Sequence, residues 1–175
     1  MKLSEKIVKT SAPDFDYIKS FMKRVFPQEE LFPMSLLMAL NKLKRCNFQA
    51  FYEDEQFIGI LYTIEFPKFV HIKYLAVNDV LHSKGYGTEM LHLLKGRYGD
   101  ETCTLFVETL DSTAENFLQR EKRIAFYERN GFHQVGVKIG NKKPLYDILS
   151  SNPNLRKEHC KKALRFIPMK VFVER

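Results

Sequence analysis

The sequence has few of the features that mark secreted, metal-binding or membrane proteins. Its three cysteines, Cys46, Cys103 and Cys160, are scattered and include no Cys-x-x-Cys pair, so neither a disulfide framework nor a zinc site is predicted. No apolar run approaches the roughly 20 residues that a membrane-spanning helix requires. The first residues also lack the apolar core of a secretory signal. We therefore expect a cytoplasmic protein with no metal and no membrane partner.

Concentrated positive charge is also missing. The net charge is +7, but it is spread along the chain, with one basic cluster at Arg156-Lys157 and Lys161-Lys162. A nucleic-acid-binding domain usually shows a basic patch together with a recognisable motif. No such motif occurs here, so nucleic acid is not a predicted partner, although the charge permits an anionic ligand. The length of 175 residues suits one domain with a sizeable core.

The N-terminal third predicts one short strand and two amphipathic helices. The strand covers residues 7–10, and residues 11–14 supply a break and a helix start. Apolar residues then recur at helical spacing to about Phe26, before Pro27. A second helix opens at Pro33 or Ser35. We interpret both helices as packing elements that could also shape one wall of a site.

From Asn47 the spacing of apolar residues changes to that of strands. An antiparallel meander is predicted, followed by a helix, a strand that pairs in parallel through a right-handed crossover, a basic helix and a final hairpin. The basic helix passes through residues 120–127 and ends at Asn130-Gly131. The predicted strands are 48–52, 57–66, 69–77, 103–108, 132–139 and 145–149, and the tail adds a short helix near 157–164 and a strand at 169–173.

The most informative stretch leads from strand 69–77 through a loop with two glycines into a helix. Gly85 and Gly87 allow the backbone to approach a ligand closely. The helix that follows presents unpaired N–H groups and the positive end of its dipole, which favour an anion such as phosphate. The loop lacks the Gly-Lys-Ser/Thr of a P-loop and the third glycine of a dinucleotide fingerprint. A plain turn remains the alternative interpretation.

Two segments must be considered together. The first is the loop His82-Ser83-Lys84-Gly85-Tyr86-Gly87, and the second, further along the chain, is Ala125-Phe126-Tyr127-Glu128-Arg129-Asn130-Gly131-Phe132. In this order, separated by one strand, the two segments resemble the GNAT superfamily of acetyl-CoA-dependent N-acetyltransferases. The resemblance in element order extends to about Leu149. It implies an α/β (α+β) fold with a mixed, mainly antiparallel sheet of about six to seven strands, flanked by helices and with a splayed central strand pair. It also implies a single acetyltransferase domain over residues 1–175, with a core of about 5–149 and a C-terminal extension of 150–175.

The resemblance implies acetyl-CoA as co-substrate. His82 stands where the family usually has Gln or Arg, but the family's pyrophosphate contacts come largely from backbone N–H groups. The pantetheine arm would pair with the strand before the loop, and a backbone N–H of that strand would polarise the thioester carbonyl. The implied binding residues are Leu75, Ala76, Val77, His82, Ser83, Lys84, Gly85, Tyr86, Gly87 and Thr88.

Three side chains are candidates for proton transfer. Tyr127 matches the family's tyrosine near the coenzyme sulfur, and a phenol with a pKa near 10 suits donation to a thiolate. Glu108, at a strand end, and His71, where one branch of the family carries a glutamate, are the candidate bases. Each has a structural alternative: Tyr127 as a core aromatic, Glu108 as a solvated carboxylate and His71 as a half-buried sheet residue. A water relay without a single base also stays open.

The resulting hypothesis is an acyltransferase that moves the acetyl group of acetyl-CoA to a primary amine by direct attack in a ternary complex. The alternatives are an acyl-CoA-binding sensor with the same fold and, less favoured, a nucleic-acid-associated protein. The acceptor, a small molecule or a peptide amine, is expected to be selected by the region of the first two helices, the final hairpin and the tail. Acidic clusters at Glu29-Glu30 and at residues 53–55 could attract a cationic amine. The apolar tail could serve a homodimer interface as readily as the core.

Overall fold

A computed structural model of the protein describes residues 2–43, 45–67, 69–140 and 145–155 and the backbone of 171–173. The chain forms two compact units, which we describe separately. The first consists of Met1–Glu65 and Ile72–Gly99, and the second of Phe66–His71 and Asp100–Arg175.

The first unit combines three α-helices with the strand order β1-β2-β3-β4. β1 pairs antiparallel with β2, and β2 with β3. Between β2 and β3, Asp54 and Glu55 both have positive φ, as the central residues of a tight hairpin turn of type I′ require. The elements are β1 Ser4–Ile7, α1 Phe15–Val25, α2 Met34–Asn41, β2 Cys46–Glu53, β3 Gln56–Phe66, β4 Phe69–Val77 and α3 Tyr86–Tyr98, and a 3₁₀ turn at Asp79–Leu81 precedes α3.

The core of the first unit lies between its sheet and the first two helices. Phe21 and Met22 of α1 and Leu37 of α2 are fully buried, because the apolar residues of each helix recur on one face. They pack with strand residues that include Phe48, Ile60 and Tyr62. The two N-terminal helices are therefore packing elements, as predicted.

Among its described residues, the second unit contains the start of β4, one helix and four further strands. Val70 donates its N–H to the Thr102 carbonyl at 2.8 Å, just before β5 begins. β5 pairs antiparallel with β7, β7 with β6, and β6 with β8. Val137, Ile139 and Ile148 form the buried core of the final hairpin. The elements are β5 Cys103–Glu108, α4 Phe117–Arg129, β6 His133–Ile139, β7 Tyr146–Ser150 and β8 Val171–Val173.

The predicted fold class is confirmed: the protein is a mixed α/β protein, and its described residues form four α-helices and a mainly antiparallel open sheet of seven strands, to which β8 adds a short eighth. The first strand was misplaced. It covers Ser4–Ile7 rather than residues 7–10 because the backbone turns at residues 9–12, where Ala12 donates its N–H to the Lys9 carbonyl.

Three predictions on the last part of the chain fall partly or wholly outside the described residues. They are the helix near 157–164, the first two residues of strand 169–173, and the turn that follows Gly140. Among the described residues, no helix is both long enough and apolar enough to span a membrane. The same residues contain no group of three His, Cys, Asp or Glu side chains that could hold a metal ion.

Candidate active site

The end of β4 is held in place by contacts with β3 and with its own loop. Asn78 donates its backbone N–H to the Ile58 carbonyl at 2.7 Å and its side-chain amide to the Phe57 carbonyl at 3.3 Å. His82 places its Nε2 3.1 Å from the carbonyl oxygen of Val77, so the ring fastens the loop to the last residue of the strand. His82 thus has a local structural partner on the protein backbone.

A glycine of β3 lies directly against the strand that is predicted to bind pantetheine. A Cβ added to Gly59 would lie only 2.2 Å from the carbonyl oxygen of Ala76 and 3.1 Å from the Cα of Val77. Because real Cβ atoms do not approach backbone this closely, only glycine fits here without displacing β4. The sequence analysis missed this residue, although a lone glycine in a run of β-favouring residues is a signal of close backbone approach.

The glycine loop ends in a helix start that has no side-chain cap. Gly85 has φ of 83° and forms the N-cap of α3, with no side-chain hydrogen bond to the cap. The first backbone bond within the helix runs from the Glu89 N–H to the Gly85 carbonyl at 3.1 Å. The N–H groups of Tyr86, Gly87 and Thr88 therefore precede the first helical hydrogen bond and can bind an anion.

Three further features concern the loop and the first turn of α3. Ser83 also has positive φ, 64°, an unusual value for a residue with a side chain. The helix begins at Tyr86, so that Gly87 lies in its first turn instead of in the loop. Lys84 is exposed next to these groups and can add a positive charge. The residues present therefore fit a pyrophosphate group, through backbone N–H groups and one ammonium.

The start of α3 is also tied to the β2–β3 hairpin. The Tyr86 hydroxyl donates to Glu53 at 2.5 Å. This hydrogen bond lowers the pKa of Glu53 and raises the pKa of Tyr86. One carboxylate of the acidic turn at residues 53–55 thus supports the coenzyme loop, a use that the sequence analysis did not predict.

Tyr127 lies in the second unit, near the C-terminal end of α4. Its side chain is buried, with 8% exposure, and its ring makes edge contacts with Phe126 and Phe132. Burial raises the pKa of Tyr127 to about 12, while the Arg123 charge acts in the opposite direction. None of the described residues hydrogen-bonds the Tyr127 hydroxyl, and that oxygen is not among the fully buried unsatisfied atoms. The phenol is therefore neutral at physiological pH.

Glu108, at the end of β5, is enclosed by two arginines of α4. Its carboxylate lies 2.9 Å from Arg120 and 3.1 Å from Arg123, and it accepts a hydrogen bond from Asn116 at 3.2 Å. Arg120 is itself buried and also donates to the Thr109 carbonyl. Glu108 therefore anchors α4 to β5, and it links through Arg123 to the helix turn that carries Tyr127. Nothing in the sequence pattern indicated this pairing beyond the i, i+3 spacing of the arginines.

His71, near the start of β4, is buried, with 3% exposure. Its Nδ1 lies 3.3 Å from the Thr104 hydroxyl of β5, and its ring centroid lies 4.2 Å from that of Phe106. Phe106 and Glu108 occupy alternate positions on β5 and share a face of that strand. All three proton-transfer candidates thus belong to the second unit, and all the predicted coenzyme-binding residues belong to the first.

Comparison with known proteins identifies the family of the domain. A family model described as an acetyltransferase (GNAT) domain matches residues 44–134, just over half of the chain. A search of curated protein sequences found no match.

Solved structures with a similar fold include a putative GNAT-family acetyltransferase from Bacteroides thetaiotaomicron, with 21% identity, 93% of each chain covered and a TM-score of 0.69. A second is an aminoglycoside 6'-N-acetyltransferase complexed with coenzyme A, with 16% identity, 89% of this chain and 99% of that chain covered, and a TM-score of 0.66. A third is Arabidopsis thaliana Naa50 in complex with the bisubstrate analogue CoA-Ac-MVNAL, with 16% identity, 86% and 98% covered, and a TM-score of 0.63. At these identities the likeness concerns the fold. The matched domain and the shared fold together establish that this chain belongs to the GNAT acetyltransferase family.

Proposed function

We propose that the protein transfers the acetyl group of acetyl-CoA to a primary amine by direct attack within a ternary complex. The observation that carries the proposal is the start of α3, where three uncapped N–H groups follow a left-handed Gly85 at the end of the loop that leaves β4. This arrangement suits the pyrophosphate of a coenzyme. Two of the solved relatives were crystallised with coenzyme A or a coenzyme A conjugate, which supports the same donor here.

The proposed reaction makes one C–N bond and breaks one C–S bond. The neutral amine nitrogen attacks the thioester carbonyl carbon, and a backbone N–H of residues 75–77 stabilises the negative charge that develops on the carbonyl oxygen. The coenzyme leaves as a thiolate, which takes the phenolic proton of Tyr127. The attacking nitrogen loses one proton to a base, and solvent returns one proton to the Tyr127 phenolate, so that the net products are the amide and free coenzyme A thiol.

Glu108 and His71 are the proposed bases, reached directly or through water. Both oxygens of Glu108 already accept hydrogen bonds from arginine side chains, which favours a role in orienting α4. His71 is buried, and its Nδ1 lies beside the Thr104 hydroxyl. The geometry around each candidate therefore favours a relay through water over direct contact with the amine.

The domain organisation, the location, the acceptor class and the oligomeric state of the protein are also proposals. We expect the whole chain to act as one acetyltransferase domain in the cytoplasm, with residues 150–175 as an extension. The amine acceptor is a small molecule or a peptide, and a homodimer formed through the apolar tail stays a prediction.

The decisive experiment is calorimetric titration with acetyl-CoA, with NADH and ATP as control ligands. We expect micromolar binding of acetyl-CoA alone. Gly87→Val should weaken this binding at least about tenfold, because the new side chain would occupy the first helical turn where the pyrophosphate binds. Gly96→Val is the matched control: it introduces the same residue into the same helix, at a position where an added Cβ meets nothing within 4 Å.

Each result has a definite meaning. Binding that is lost in Gly87→Val but kept in Gly96→Val supports the coenzyme site, and release of free CoA with a panel of amines then supports the enzyme. Binding without turnover of any amine would indicate an acyl-CoA sensor. No binding by folded protein would mean that the loop is a turn only, and the proposal would fail.

A further inference from the structure

One lysine of β4 lies over two aromatic rings and makes no ion pair with a described carboxylate. The Lys73 ammonium lies 4.7 Å from the ring centroid of Phe32 and 5.1 Å from that of Tyr74. It forms no ion pair and no hydrogen bond with any described residue. Burial lowers the pKa of Lys73, and the charge of Glu30 acts against this effect. The ammonium therefore keeps its N–H donors available in a partly desolvated place.

The aromatic wall beside Lys73 is fixed to the sheet. The Tyr74 hydroxyl donates to the Glu30 carbonyl at 2.8 Å and accepts the Phe32 N–H at 2.9 Å. The Tyr74 ring also packs against Phe26 at 4.9 Å. The segment between α1 and α2 is thus held against β4 by two hydrogen bonds, while the Phe32 side chain stays 40% exposed. Lys73 and Phe32 together present a cation beside an accessible apolar ring.

The position of Lys73 along β4 relates it to the acceptor. If the pyrophosphate binds after Val77 and the pantetheine arm runs back along residues 77 to 75, the thioester lies at the Leu75 end. Lys73 precedes Leu75 by two residues on the same side of the strand, a distance of about 7 Å. An amine that attacks the thioester approaches this end, so its other substituents come within reach of Lys73.

We propose that the Lys73 ammonium binds an anionic oxygen group of the acceptor, so that the protein acetylates amines carrying a carboxylate in preference to polycationic amines. This inference rests on the proposed function and names its substrate class. A second ammonium on the acceptor would be repelled by Lys73, whereas a carboxylate would gain a charge-assisted hydrogen bond. The exposed Phe32 ring adds an apolar surface for the rest of the acceptor.

The test measures kcat and KM for matched pairs of acceptors at saturating acetyl-CoA. Two pairs differ by a carboxylate: phenylalanine with phenethylamine, and lysine with cadaverine. A third pair, phosphoethanolamine with ethanolamine, shows whether a phosphate can replace the carboxylate. We expect kcat/KM to favour the carboxylate-bearing member by about tenfold to hundredfold. Lys73→Met should abolish this preference mainly through KM, Lys73→Arg should largely keep it, and Lys23→Met, which removes an exposed lysine of α1, should leave it unchanged.

Titration of Lys73→Met with acetyl-CoA separates the two ideas. Unchanged coenzyme affinity together with a lost preference supports the role of Lys73. Turnover of the decarboxylated amines that equals or exceeds that of the amino acids would overturn the inference and leave the acetyltransferase intact. A preference for phosphoethanolamine alone would replace carboxylate by phosphate as the recognised group. Absence of acetyl transfer to every amine would remove the proposed function and this inference together.

Discussion

At the scale of single residues, Tyr127 and Glu108 differ in how their polar groups are bonded to other described side chains. Both lie in the second unit, and both were candidates for proton transfer. The Glu108 carboxylate is already held by Arg120 and Arg123. The Tyr127 hydroxyl has no hydrogen-bond partner among the described residues, although its ring is buried. A hydroxyl that none of these residues engages can hydrogen-bond a bound ligand, which is consistent with the proposed role in catalysis.

Tyr127→Phe should therefore lower kcat by about a hundredfold or more, the usual effect of losing a general acid, with little change in acetyl-CoA affinity. Because the pKa of Tyr127 is about 12, the phenol stays protonated throughout the working range, and its ionisation should not limit the rate below pH 10. Steady-state kinetics and calorimetry check both parts. Tyr17→Phe, which alters a tyrosine that is 46% exposed, is the matched control. Equal turnover of Tyr127→Phe and wild type would remove Tyr127 as the acid.

At the scale of elements, the sequence predicts those parts of the fold that local spacing determines. The apolar period identified α1 and α2, the glycine at its C-terminal end marked α4, and β-favouring residues identified β2, β3 and β4. Boundaries were less accurate where a tertiary contact decides them. β1 lies at residues 4–7 because these residues pair with residues 49–52 of β2, a pairing that no local pattern specifies.

In the proposed coenzyme site, too, local sequence features were predictable and tertiary contacts were not. The glycines of the loop were recognisable from their spacing, because a helix start after glycine has a sequence signature. The contact between Gly59 and Ala76, the bond between Tyr86 and Glu53, and the position of Lys73 against Phe32 were not predictable. Each joins residues that are more than fifteen positions apart in the sequence, so each depends on the assembled fold.

Substitution of Gly59 tests how closely β3 and β4 pack, and substitution of Gly96 in α3 provides the comparison. Gly59→Ala should lower the free energy of unfolding by roughly 1–3 kcal/mol, because its Cβ would overlap the Ala76 backbone and force β4 to shift. Gly96→Ala, in the last turn of α3 with open space around the added Cβ, should raise it by up to about 1 kcal/mol through helix propensity. Urea denaturation followed by circular dichroism measures both values. Stabilisation by Gly59→Ala would mean that the two strands are not in close contact.

At the scale of the whole molecule, buried tyrosines should make the protein sensitive to alkali. Burial raises the pKa of Tyr52, Tyr62 and Tyr127 above the ordinary value of 10. At alkaline pH the folded state therefore holds protons that the unfolded state has lost. By linkage, the stabilising contribution of these groups is complete below pH 10 and declines as the pH rises towards their folded-state pKa values.

The contribution of one tyrosine can be measured by comparing Tyr127→Phe with Tyr17→Phe. With a pKa of about 12 in the folded protein, Tyr127 should account for a loss of about 1–1.5 kcal/mol of unfolding free energy between pH 8 and pH 11. Tyr17→Phe should lose as much stability over this range as the wild type, and Tyr127→Phe should lose less by that amount. Deprotonation of lysines affects all three proteins equally and cancels in the comparison. Identical pH dependence of the two variants, measured by urea denaturation, would show that the Tyr127 phenol ionises as readily in the folded chain as in the unfolded one.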